Sequence, residues 1–251
     1  MIDHVLPVVA AIAAWWFGTG VVLFLDRLPR STYRWSMAAA TVALLGAFGG
    51  IAATRDIATP AGAYGAFGLS LVVWAWIEMS FLMGFVTGPR AAACPPGARG
   101  WSRVGYALQA IAYHELALVA GGALVFLLTA GGENRMALWT YAILWVMRTS
   151  AKLNVFLGVR NLSEDLLPAH VAYLATYFRR ARMNALFPFS VAGSTALAVA
   201  LWSSALAATA SFDVAALTLA ASLVTLAVIE HWLLVLPISV NGLWQWGLRS
   251  P

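Results

Sequence analysis

Apolar residues in this chain recur in long stretches of roughly 20 residues or more, and the pattern predicts membrane-spanning helices. About 20 apolar residues cross a hydrocarbon core of about 30 Å as a helix. Seven stretches reach that length, at roughly 5–25, 36–54, 64–87, 103–130, 138–160, 188–211 and 213–237. The expected fold is therefore all-α, a polytopic integral membrane protein whose single helical transmembrane domain spans 1–251. Polar, turn-rich pieces separate the helices. The stretch TGPRAAACPPGARGWSR, Thr87 to Arg103, holds three prolines and three glycines and reads as a loop.

The longest connection, 161–187, carries a pattern of its own. Glu164 and Asp165 suit a helix start, Pro168 suits a first turn, and Val171, Leu174, Ala175 and Phe178 share one face at a 3.6-residue period. A cytoplasmic interfacial helix over about 165–183 is expected between helices 5 and 6. Its trailing Arg179, Arg180 and Arg182 would lie against anionic head groups or a partner protein. Trp244 and Trp246 read as interface anchors of the tail.

Composition sharpens this picture. The chain is 62% hydrophobic and 10% charged, where soluble domains carry about 25% charged residues. Its start, Met1-Ile2-Asp3-His4, lacks a basic region and a short apolar core, so the first helix is expected to be retained. The net charge of +5 follows loop parity: eleven Lys or Arg flank the loops after helices 1, 3 and 5 or lie in the tail, and only Arg55 and Arg135 lie on the opposite side. Basic loops stay in the cytoplasm, which predicts an outward N-terminus, an inward C-terminus and multi-pass residence in a bacterial inner membrane. That placement also argues against nucleic acid as a partner. With Cys94 as the sole cysteine, no internal disulfide is expected.

The two remaining cations, Arg148 and Lys152, lie inside helix 5, and each intramembrane charge calls for a partner or a function. Glu78, His114, Glu115, Lys152, Glu230 and His231 fall at one depth when counted from the cytoplasmic helix ends, with Arg148 one turn deeper. Along helix 5, Trp145, Arg148, Lys152 and Phe156 form one stripe, and Ser150, Asn154 and Gly158 form another. The first is expected to face Glu78, Glu115 and Glu230, and the second to pack on a neighbouring helix.

Four chemistries fit this layer. The first is a structural ion network. A metal site drawn from Glu78, His114, Glu115, Glu230 and His231 is the second, although no Glu-x-x-His pair is present and nearby cations oppose a divalent ion. The third is pigment or haem ligation by His114 or His231, each with an alanine four residues earlier. Proton or solute conduction is the fourth. The chain holds no nucleophile elbow, phosphate loop or dinucleotide fingerprint, so any enzymatic reading rests on the polar layer alone.

Five blocks, WVMRTSAKLNVFLGVRNL (145–162), YHELAL (113–118), GPRAAACPPG (88–97), MNALFPFS (183–190) and EHWLLVLP (230–237), resemble the PuhE family of photosynthetic complex assembly proteins from phototrophic bacteria. The likeness spans nearly the whole chain. It implies a role in forming the reaction-centre and light-harvesting complex, with the subunits of that complex as partners and bacteriochlorophyll supply as a linked process. It carries over no catalytic residue. The alternative is a metal-dependent membrane enzyme acting on a pigment or its isoprenoid tail.

Overall fold

The computed structural model describes residues 2–238 together with 242, 244 and 246. Seven long helices follow one another among the described residues: α1 (Ile2–Asp26), α2 (Tyr33–Thr54), α3 (Pro60–Leu82), α4 (Gly100–Thr129), α5 (Met136–Leu157), α6 (Phe187–Ala207) and α7 (Ser211–Leu233). Short 3₁₀ segments occupy Arg30–Thr32, Glu164–Leu166 and Ala169–Tyr177, and no β-strand forms among the described residues. Six of the long helices are apolar enough to cross a membrane. The seventh, α5, is 22 residues long and falls short because Arg148, Lys152 and several hydroxyl and amide side chains dilute its apolar residues.

Local chemistry sets the helix ends. Thr59 caps α3 by accepting from the Gly62 amide at 3.1 Å, and Pro60 fills the first turn, where its missing N–H is no loss. α5 stops at Gly158, whose φ of +127° suits glycine alone. Asn184 accepts from the amides of Leu186 and Phe187 at the start of α6. Asn161 closes α7 from outside, its Nδ2 donating to the Leu233 carbonyl at 2.7 Å and to those of Leu236 and Ile238.

α3 lies at the centre. Its Val73 and Ile77 are buried with Leu118 and Val125 of α4, Tyr141 of α5 and Leu219 and Leu223 of α7. Lipid tails are as apolar as leucine, so helix association inside a bilayer depends on close packing and interhelical hydrogen bonds. The chain uses both. Ala63, Ala66 and Ser70 bring α3 close to its neighbours, Ser70 Oγ donates to the Ala137 carbonyl at 2.9 Å, and Tyr141 OH donates to that of Leu118 at 2.7 Å.

The segment expected to be an interfacial α-helix over 165–183 folds differently. Residues Ala169–Tyr177 wind as a 3₁₀ helix with three residues per turn, so Val171, Leu174 and Tyr177 line up at intervals of three. These three are buried against Phe81 of α3 and Ala110 of α4 instead of facing lipid. The helical period of 3.6 had put Phe178 on that face in place of Tyr177. His170 on the same segment donates to the exposed carbonyl of Leu82 at 2.8 Å, closing the end of α3. Trp244 is buried on α1, its ring centroid 5.2 Å from that of Trp15 in an edge-on arrangement and its Nε1 donating to the Trp16 carbonyl. Trp246 stacks on Phe17.

Candidate charged site in the helical bundle

The two stripes of α5 diverge as their spacing requires. On one face Arg148 Nη2 donates to Glu78 Oε2 of α3 at 3.2 Å, and Lys152 Nζ donates to Glu115 Oε1 of α4 at 2.8 Å. On the other, Ser150 Oγ donates to His231 Nε2 of α7 at 2.9 Å, and Asn154 Nδ2 donates to Ser190 Oγ of α6 at 2.9 Å. Asn154 also accepts from Asn184, so it is buried with its amide fully used. α5 therefore joins α3 and α4 through ion pairs and α6 and α7 through neutral hydrogen bonds.

The layer lies nearer the helix ends than counting predicted, because α3, α5 and α7 stop earlier than their apolar stretches do. Glu78 is four residues from Leu82, Lys152 five from Leu157 and Glu230 three from Leu233, or about 5–8 Å at 1.5 Å per residue. Glu115 lies 15 residues from Gly100, because α4 begins well beyond the ends of these three helices, and it meets the layer through Lys152.

Glu230 is held apart from the two pairs. It accepts from Trp15 Nε1 of α1 at 2.6 Å and lies on the exposed side of α7. Each imidazole is enclosed. His231 Nδ1 donates to the Ala227 carbonyl at 2.8 Å, which leaves Nε2 to accept from Ser150 and uses both nitrogens. His114 is buried with its ring 4.3 Å from that of Phe81, and neither of its nitrogens has a partner. As folded, neither histidine offers a nitrogen at the surface to a macrocycle. Nor do the five proposed metal ligands converge: among the described residues no three His, Cys, Asp or Glu side chains come together as a metal site. The structure separates them because the cations of α5 occupy Glu78 and Glu115.

The exposure of the pairs differs. Glu78 is nearly enclosed, with 11% of its side chain accessible and Oε1 unpartnered, whereas Arg148 keeps 46% of its side chain open. Lys152 and Glu115 are intermediate at 25% and 30%. A carboxylate inside, a guanidinium half outside and a second pair beside them make a partly exposed charged patch. Of the predicted surface residues, Arg179, Arg180 and Arg182 are exposed, and Arg180 pairs with Glu164 at 2.6 Å.

Several residues of this region escaped the sequence reading. Asp26, the last residue of α1, is buried with neither carboxylate oxygen partnered, and it lies close enough to Glu78 to feel its charge. A helix-end aspartate usually faces water, so nothing in its spacing marked it. The second surprise is the loop Thr87–Arg90, which inserts its backbone beside α4: the His114 amide donates to the Thr87 carbonyl at 2.9 Å and the Arg90 amide donates to that of Gln109 at 3.3 Å. Gly88 permits this approach, since a β-carbon there would sit 2.2 Å from the Gln109 carbonyl oxygen. Arg103 closes α5, donating to the carbonyls of Phe156 and Tyr177 while its guanidinium covers the Phe156 ring at 3.9 Å.

Together these features define an all-helical protein with six helices apolar enough to cross a membrane and a layer of paired charges between its helices. The chain belongs to the DUF3623 family, described as a protein of unknown function, whose pattern it matches over residues 1–251. It is similar to an uncharacterized 30.4 kDa protein in the puhA 5′ region of Rhodobacter capsulatus, with 38% identity across 98% of this chain and 91% of the relative. No solved structure matches it.

Proposed function

We propose that this chain is an inner-membrane assembly factor for the photosynthetic reaction-centre and light-harvesting complex, working alongside bacteriochlorophyll supply. It would cross the bilayer seven times with its N-terminus outside. The observation that carries the reading is the relative of nearly equal length in the 5′ region of puhA, a photosynthesis gene, and the PuhE-like blocks agree with it. The positive loops support the orientation, and the ion pairs of α5 give that helix a way to cross as the seventh span.

The charged patch suits such a role. A guanidinium carries five N–H donors in a rigid fork, and Glu78 uses one from Arg148. The others have no acceptor among the described residues, on a side chain that is 46% accessible. An intramembrane subunit presenting a polar side chain or free helix-end carbonyls would complete them, where lipid tails would not. The enzymatic alternative loses its metal set to the pairing of Glu78 and Glu115.

The test is complementation. Deleting the relative from Rhodobacter capsulatus should lower the near-infrared absorbance of assembled complexes, and this chain should restore it. Arg148→Gln combined with Glu78→Gln removes the half-exposed pair of the patch without stranding its partner, and should leave the protein in the membrane while complex yield falls. Normal complex yield in the deletion strain would refute the proposal. Purified protein that turns over a pigment or prenyl substrate would replace it with an enzymatic function.

A further inference from the structure

The bundle holds an open slot between α5, α6 and α7, with its mouth at the end opposite the charged layer. α5 and α6 are tied at the inner end, where Asn154 meets Ser190 and Asn184, and they part toward Met136 and Ala207. The gap has a volume of about 580 Å³, within the roughly 300–1,000 Å³ of small-molecule sites. Ala216 and Ala220 of α7 leave room at its floor, and Trp139, Val146 and Leu197 form its walls. Along α5 it runs from Met136 to Met147, about 16 Å at 1.5 Å per residue, which is half a hydrocarbon core and so the depth of one leaflet.

Polarity is confined to the mouth. Glu133, Arg135 and Asp213 line it, all exposed, and among the described residues none of the three pairs with another charged group. Two carboxylates beside one guanidinium, above an apolar slot one leaflet deep, complement a zwitterionic amphiphile.

We infer that this slot is a binding site for phosphatidylethanolamine, with one acyl chain lying between α5 and α6. Arg135 takes the phosphate, whose oxygens match its planar donors, and Glu133 and Asp213 take the ammonium. The occupant is a resident lipid, distinct from the exchanging shell on α2 and α4. This inference rests on the proposed reading in one respect, that α5 crosses the bilayer as the seventh span; neither the orientation of the chain nor its partners enters it.

Photolabelling of the full-length protein tests it. The chain is reconstituted in phosphatidylcholine vesicles carrying phosphatidylethanolamine with a mid-chain diazirine, irradiated, and its labelled peptides are mapped. Label at Val146, Leu197 and Leu201 should exceed that at the exposed Val42 of α2 and Leu116 of α4 by about fivefold, a difference of roughly 1 kcal/mol. A phosphatidylglycerol probe should label the slot several-fold less. The double variant Glu133→Gln, Asp213→Asn should abolish that preference, and Ala142→Phe should lower slot labelling while labelling of α2 and α4 stays constant, which reports an intact fold. Equal labelling of the slot and of α2 and α4 would overturn the site. Equal labelling by the two head groups would overturn the assignment of its ligand.

Discussion

Lys152 Nζ reaches Glu115 Oε1 at 2.8 Å, and one turn away on the same stripe Arg148 takes Glu78, so two cations of α5 divide two carboxylates between them. The third carboxylate, Glu230, is bonded to Trp15 instead. This division makes the ammonium's partner a testable choice.

Lys152→Met should lower stability by about 1–3 kcal/mol, between the cost of breaking a buried pair and that of a surface pair, because both side chains are about a quarter exposed. Adding Glu115→Gln should recover part of the loss; adding Glu78→Gln or Glu230→Gln should not. Thermal melting in detergent and the level of tagged protein in membranes are the readouts. Equal rescue by all three glutamines would show that the pairing is diffuse.

Gly88→Ala should be among the most damaging small substitutions in the chain. Its β-carbon would meet backbone, the Gln109 carbonyl at 2.2 Å, so the loop must leave α4 and give up the bonds of Thr87 and Arg90. A loss of about 2 kcal/mol or more is expected, with faster proteolysis in 87–99. Gly97, which has open space around a built β-carbon but a φ of +80°, is a milder control. A melting temperature and cleavage rate for Gly88→Ala equal to those of the unmodified protein would contradict the inserted loop.

Asn161→Asp keeps the shape of the side chain but removes the two amide hydrogens that close α7 and places a charge against three carbonyls. The expected cost is about 1–3 kcal/mol. Hydrogen exchange should quicken in the last turn of α7 and leave the first turn unchanged. Uniform exchange along α7 in the variant would mean that this side chain does not hold the helix end.

Topology can be read directly. Reporter fusions after Leu28, Pro95 and Ala181 should report cytoplasm, and fusions after Pro60, Gly132 and Phe212 should report periplasm. An inversion anywhere in that series would overturn the seven-span arrangement.

The long helices and the two faces of α5 were legible because a charge in an apolar background has few places to go, and a spacing of four residues fixes which groups share a face. Other features depend on contacts between residues far apart in sequence. Nothing local says that His170 will cap Leu82 or that Thr87 will meet His114. The 3₁₀ segment differs for a narrower reason: over so short a stretch, periods of 3.0 and 3.6 share Val171 and Leu174 and part at Ala175 and at Tyr177 against Phe178. Asp26 was passed over because its burial comes from the packing of other helices around the end of α1.

The double allegiance of α5 also bears on how the chain is made. In the seven-span arrangement, α3 and α4 leave the ribosome first and carry Glu78 and Glu115 without counter-ions. α5 follows with two cations, each costing a lone helix up to about 2.5–3.5 kcal/mol to insert at mid-membrane and less near an end. Neither party enters lipid comfortably alone, so in that arrangement insertion of α5 would be coupled to α3 and α4, which precede it. A nascent chain halted before Met136 would hold Glu78 and Glu115 without the two cations that pair with them in the complete chain.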